Sequence, residues 1–139
     1  MILIIRIRGM VGVSSEVKET LYRLRLRKKY SAVVIKDSRE NQKLLKGIRN
    51  FVAYGEVNKE TLNELLEKRA KPIDSKSKID SEKIIQDLEK KDLKDLKIKP
   101  FFSLHPPRGG IEAKKHFGQG KGVLGDNKEK INDLVRRML

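Results

Sequence analysis

The chain has 139 residues, with 33 Lys and Arg against 19 Asp and Glu, which gives a formal net charge of +14. An excess of this size repels itself unless a polyanion lies against it, and nucleic acid is the commonest such partner, with a membrane surface second. The lack of cysteine excludes disulfides and thiolate chemistry, the two histidines His105 and His116 cannot assemble a His-rich metal site, and no run of about 18 apolar residues offers a spanning helix. Met1 to Ile5 is too short for the apolar core of a signal peptide, so the expected setting is cytosolic.

Ile2 to Ile7 is an aliphatic run with Arg6 and Arg8 at alternate positions, which predicts a strand whose far end emerges into solvent. Ser14 is placed to cap a helix with Glu16 in its first turn, and Val17, Leu21 and Leu24 fall on one face. Ala32 to Lys36 is a short β-branched run and predicts a second, buried strand. Asp37 and Ser38 offer caps for a second helix, with Glu40 at capping-box spacing from Asp37 and Leu44, Leu45 and Ile48 as its apolar stripe. Phe51 to Val57 predicts a third strand, so the first 57 residues read as β-α-β-α-β.

Asn58 is a cap for a third helix carrying Leu62, Leu65 and Leu66, ended by Pro72. A polar linker at 75–78 leads to a helix opened by Ser81 with Ile84, Ile85 and Leu88, and a short turn with Leu93 and Leu96 follows. Phe101 to Leu104 reads as a strand or extended segment. Little regular structure is expected between Arg108 and Asp126, where Gly109, Gly110, Gly118, Gly120, Gly122 and Gly125 are concentrated. Asp126 and Glu129 then have capping-box spacing, and Ile131, Leu134, Val135 and Met138 define a C-terminal helix. The expected organisation is a core over 1–57, a helical extension over 58–100, and a strand, basic loop and terminal helix over 101–139.

Charge is distributed unevenly over these parts: 13 basic and 5 acidic groups in 1–56, 12 and 10 in 57–100, and 8 and 4 in 101–139. The middle therefore reads as solvated helix with paired charges, and polyanion binding is expected from the two ends. The first cluster is Arg23, Arg25, Arg27, Lys28 and Lys29, with Arg49 a further candidate after the second helix. Cations at a helix C-terminus are favoured by the macrodipole alone, but five charges in seven residues repel one another without a polyanion nearby. The second cluster is Arg108, Lys114, Lys115, His116 and Lys121, where glycines let backbone approach phosphates and His116 or Phe117 offers a ring for stacking. An unbound basic tail is the plain alternative.

Enzyme motifs fail on inspection. Lys121 is followed by Gly122, whereas a phosphate-binding P-loop requires Ser or Thr there. Asp37, Glu40, Asp92 and Asp95 have no apolar surroundings in sequence that would raise a pKa, so capping and solvated pairing explain them. No catalytic residue and no cofactor are assigned.

Thr20-Leu21, Leu24, Leu26, Lys28, Ser31 and Val33, followed by Leu44-Leu45, Ile48 and Phe51-Val52, resemble the signature of the large-subunit ribosomal protein "L thirty" family. The short bacterial members resemble only about residues 1–57. The archaeal and eukaryotic long forms, which include the related eukaryotic protein "L seven", are similar to the whole chain, including Ser103 to Gly110 and the ending Arg136-Arg137-Met138. The eukaryotic forms carry a basic N-terminal arm, whereas the predicted strand here starts at Ile2, a departure that implies the archaeal type.

The resemblance implies an α+β fold related to the ferredoxin-like class. Its β-α-β-α-β core has a three-stranded antiparallel sheet covered by helices on one face, plus a helical insert and a basic, Gly-rich extension ending in a helix. It also implies a structural, non-enzymatic constituent of the large ribosomal subunit that binds ribosomal RNA, with neighbouring ribosomal proteins and the small ribosomal RNA of that subunit as further contacts, and no membrane. The competing reading is a free-standing nucleic-acid chaperone or DNA-compacting protein. An enzyme acting on RNA would need His105 or His116 set against a nucleophile or metal.

Overall fold

Alternation along the first strand decides how the molecule is layered. The computed structural model describes residues 2–9, 14–35, 38–69, 101–107, 112–116 and 122–138. Strand β1, Ile2–Arg6, is buried along its whole length, with Ile2 and Ile4 facing one core and Leu3 and Ile5, followed by Ile7, facing another. Side chains alternate across a strand, so an unbroken aliphatic run is the pattern of a strand covered on both sides.

The first cover comes from helix α1, Ser15–Arg23, and helix α2, Arg39–Ile48. Leu21 of α1 and Leu45 and Ile48 of α2 pack with Ile2, Ile4, Val33 and Val52. Ser14 caps α1 by accepting from the Val17 amide at 3.4 Å, and Ser38 caps α2 by accepting from the Asn41 amide at 3.2 Å. Leu44, expected on the apolar stripe of α2, is exposed, because the buried arc of this helix is narrow enough for Leu45 and Ile48 to fill it.

Strand β2, Ser31–Ile35, and strand β3, Val52–Glu56, flank β1 and are both antiparallel to it, with Ile5 opposite Ala32 and Ala53. The β-α-β-α-β core and its antiparallel three strands are therefore present as expected. The sheet is wider than that. Strand β4, Phe102–Ser103, adds to β2 in antiparallel register, while strand β6, Gly122–Asp126, runs parallel to β3 and strand β5, Glu112–His116, parallel to β6. The order is β4-β2-β1-β3-β6-β5, a mixed sheet of six strands. The expectation of little regular structure between residues 108 and 126 is corrected by β5 and β6. An edge strand presents unpaired backbone groups, and these short segments satisfy them on both sides of the core sheet.

Helices also cover the second face, where the sequence predicts a cover on one face only. Helix α3, Lys59–Arg69, places Leu62, Leu65 and Leu66 against Leu3, Ile5 and Ala53, with Asn58 capping it by accepting from the Thr61 amide at 2.7 Å. A 3-10 turn at Lys128–Lys130 leads into helix α4, Ile131–Met138, whose Ile131, Leu134, Val135 and Met138 complete the same core. The capping box expected from Asp126 and Glu129 does not form. Asp126 Oδ1 instead accepts from the Lys128 amide at 2.9 Å, inside the turn that precedes the helix.

Two buried asparagines hold this corner together. Asn127 donates its side-chain amide to the carbonyls of Val123 and Gly125, while its backbone amide donates to the Tyr54 carbonyl at 2.7 Å. Asn132 donates to the carbonyls of Glu129 and Glu56 and accepts from the Asn58 amide, so one side chain ties α4 to the β3–α3 junction. Arg136 adds ion pairs to Glu60 and Glu64 of α3 at 3.9 and 3.7 Å. The cap at Asp37, the linker at 75–78, the helix expected from Ser81 and the turn near Leu93 lie outside the described residues.

Candidate nucleic-acid interface

Register places several basic segments at one end of the sheet. Arg6, at the end of β1, lies opposite Val52 at the start of β3, and Ile5 lies opposite Ala32 near the start of β2. The connection from α1 to β2, residues 24–30, and that from α2 to β3, residues 49–51, therefore both emerge beside the end of β1. Backbone bonds close the group: Ile7 and Arg8 donate to the Phe51 carbonyl at 3.1 and 3.2 Å, and Tyr30 donates to the Arg6 carbonyl at 2.7 Å. Leu104 in turn donates to the Tyr30 carbonyl at 3.0 Å, which brings residues 104–107 to the same end.

The α1–β2 connection has a defined shape. Leu26 donates its amide to the Leu21 carbonyl at 2.9 Å and Arg25 donates to the Tyr22 carbonyl at 3.0 Å, with Arg25 in the left-handed region at φ 64°. This pair of bonds is a Schellman ending, in which the left-handed position usually holds glycine because a Cβ there costs about 1–2 kcal/mol. The buried Leu26 and Leu21 supply the apolar contact that accompanies it. A second left-handed residue, Tyr30 at φ 65°, ends the connection. Between them Arg27, Lys28 and Lys29 are all exposed, on a strained turn held by backbone bonds at both of its ends.

Arg6 fixes this turn from below. Its charge and position predict the solvent end of a strand, yet it is buried, donating Nη1 to the Leu26 carbonyl at 2.8 Å and Nε to the Arg8 carbonyl at 2.9 Å. A guanidinium has donors enough to reach two segments at once, which an alternating charge pattern in sequence does not reveal. Burial pushes its pKa below the ordinary arginine value. Arg6 thus shapes the interface without standing on it.

The expected site residues divide between two places and a remainder. Arg25, Arg27, Lys28 and Lys29 share the turn, and exposed Arg49 follows α2 at the same end of the sheet. Arg23 is exposed in the last turn of α1 and makes an ion pair with Glu19 at 2.6 Å. Lys114, Lys115 and His116 lie on β5, the sheet edge remote from β2, with β1, β3 and β6 between. Four strand spacings separate β2 from β5, on the order of 19 Å, so the two clusters do not form one patch around the turn. Arg108 and Lys121 lie outside the described residues.

Aromatic rings are interleaved with the basic groups, a feature that charge density alone does not predict. The Arg27 guanidinium sits 4.4 Å from the Tyr22 ring centroid, Lys29 Nζ lies 5.1 Å from that of Tyr30, and the Arg8 guanidinium 5.5 Å from that of Phe51. The signal is present in sequence as Tyr22 and Tyr30 bracketing the cluster. Tyr54, by contrast, lies mid-strand on β3 against the α1 and α2 core, where burial and then the charge of Asp126 raise its phenol pKa against the opposing pull of Arg49. Among the described residues no group of acidic or histidine side chains is arranged to hold a metal, and no helix is long and apolar enough to cross a membrane.

Replacing Arg25 with glycine separates the turn's shape from its charge. The variant is expected to be more stable by up to about 1 kcal/mol in urea denaturation, since the left-handed strain disappears. Any loss of polyanion affinity in it then reports the missing guanidinium.

Comparison with known proteins agrees with this architecture. Residues 2–52 match the family model described as ribosomal protein L30p/L7e. Over nearly its full length the chain is similar to archaeal proteins named large ribosomal subunit protein uL30. It is 40% identical over 155 residues to that of Archaeoglobus fulgidus, covering 99% of each chain. It is 36% identical to that of Aeropyrum pernix and 34% to that of Methanococcus maripaludis, in both cases covering 98% of this chain and 97% of the relative. The chain belongs to the L30p/L7e family of ribosomal proteins, in its long archaeal form.

Proposed function

We propose that the chain is a structural constituent of the large ribosomal subunit, in the cytoplasm, that holds ribosomal RNA against the basic end of its sheet. The observation that carries this reading is near-complete similarity to large-subunit proteins in a chain of net charge +14. Exposed Arg25, Arg27, Lys28, Lys29 and Arg49 neutralise phosphates, while the bonded turn beneath them keeps its shape without RNA. Nothing is turned over.

Lys114, Lys115 and His116 form a second contact along β5 at the far edge of the sheet, for another RNA segment of the subunit, and Arg108 and Lys121, outside the described residues, are further RNA contacts. The small ribosomal RNA of that subunit and neighbouring ribosomal proteins are its further partners. The reading as a free-standing chaperone or DNA-compacting protein is not favoured, because charge alone explains neither the buried Arg6 clamp nor the length of the family similarity.

Filter binding to large-subunit ribosomal RNA tests the proposal. With about 6 to 10 phosphates engaged, affinity is expected to fall about a thousandfold or more between roughly 50 and 200 mM salt. A flat response over that range would contradict it.

A further inference from the structure

Tyr22 is the most exposed of the large apolar side chains among the described residues, at 61%, against 37% for Leu44 and for Phe101. This exposed ring stands at the margin of the basic cluster, next to Arg23 in sequence and against Arg27 in space. The Schellman ending of α1 folds the chain back so that the Arg27 guanidinium lies over one face of the ring. Beside it is a hollow of about 480 Å³ lined by Arg6, Lys18, Glu19, Tyr22, Leu26 and Arg27. Its exposed apolar side chain is the Tyr22 ring, Leu26 beneath it being buried, and Lys18 and Arg27 are its exposed cations. The single carboxylate, Glu19, is already engaged by Arg23.

A flat apolar surface ringed by cations fits one kind of occupant on an RNA: a base that is not in a helix, stacked on the ring, with its phosphates on the cations. A base within a duplex has no free face to offer. We propose that Tyr22 is the stacking platform for one unpaired nucleobase of the bound RNA, with Lys18 and Arg27 on the flanking phosphates. This rests on the RNA-binding reading above and adds to it the structural class of RNA at this end of the sheet: a bulge, loop or splayed nucleotide.

The test compares wild-type, Tyr22→Ala and Tyr22→Phe full-length chains on two probes, large-subunit ribosomal RNA and a perfect 20-base-pair RNA duplex. With the stacked base lost, Tyr22→Ala is expected to bind the ribosomal RNA about tenfold more weakly, with Tyr22→Phe at wild-type affinity. The slope of affinity against salt and binding to the duplex are expected to be unchanged in both variants. Equal loss on the duplex, or no loss on the ribosomal RNA while the wild type binds it, would overturn the platform and leave the RNA-binding reading standing. No wild-type binding to the ribosomal RNA would overturn that reading itself. Ultraviolet crosslinking of the wild-type complex needs no variant. A nucleotide adduct on the peptide holding Tyr22 is expected, and adducts confined to other peptides would refute the proposal.

Discussion

Neutralising the turn by changing Arg25, Arg27, Lys28 and Lys29 together to glutamine is expected to weaken binding to large-subunit ribosomal RNA about a thousandfold near 0.1 M salt. Each cation that meets a phosphate releases condensed counterions on binding, so the slope of log affinity against log salt should become shallower by about one for each phosphate that is no longer neutralised. The four side chains are exposed and their turn is held by backbone bonds and by Arg6. Folding is therefore expected to survive, with the unfolding free energy from urea denaturation unchanged to within about 0.5 kcal/mol. An affinity loss below about tenfold, measured by filter binding across a salt series, would move the interface elsewhere on the molecule.

The largest effect on stability is expected at Gly55, which lies opposite Leu3, towards the end of β3 away from the basic turn. A Cβ at this position of β3 would run into the backbone oxygen of Lys128 and stand 2.9 Å from the side chain of Ile131. Neither neighbour yields easily. The Lys128 carbonyl belongs to the turn that starts α4, and Ile131 is fully buried. Gly55→Ala must therefore push α4 away from the sheet, separating Asn132 from Glu56 and opening the core shared with α3. Overpacking of this kind costs typically 1–3 kcal/mol, and the backbone clash puts the expected loss at the top, about 3 kcal/mol by urea denaturation. A loss under about 1 kcal/mol would mean that the turn and helix are seated less tightly than the packing indicates.

Much of the core fold is legible in the sequence because its signals are local. The aliphatic run Ile2 to Ile5 marks a strand, though not that helices cover both of its faces, and Ser14, Ser38 and Asn58 each stand one residue before a helix that they cap. Of the outer strands only β4, within the segment Phe101 to Leu104 read as a strand or extended, is marked. Glu112–His116 is mostly charged, and Gly122–Asp126 has two glycines in five residues. The strand character of these two comes from the open hydrogen-bonding edge of the core, which no pattern within the segments records.

The site is half legible for a similar reason. Charge density identifies the turn from Arg25 to Lys29, whereas its shape depends on Arg6, a residue on another element. Arg6 resembles the solvent end of a strand because it is charged, and the carbonyls of Arg8 and Leu26 that accept from it come within reach only once the chain is folded. Arg25 gives no sign of its left-handed backbone, since the position that glycine usually fills is here held by a side chain with another use. Tyr22 is visible as a letter but not as an exposed ring beneath Arg27.

Sedimentation of a cell extract through a gradient at moderate salt, followed by detection of this chain across the fractions, bears most directly on its place in the ribosome. Migration with the large subunit, and release only as the salt is raised, is the expected outcome. A chain that stays in the light fractions while intact large subunits sediment without it would contradict the proposed role.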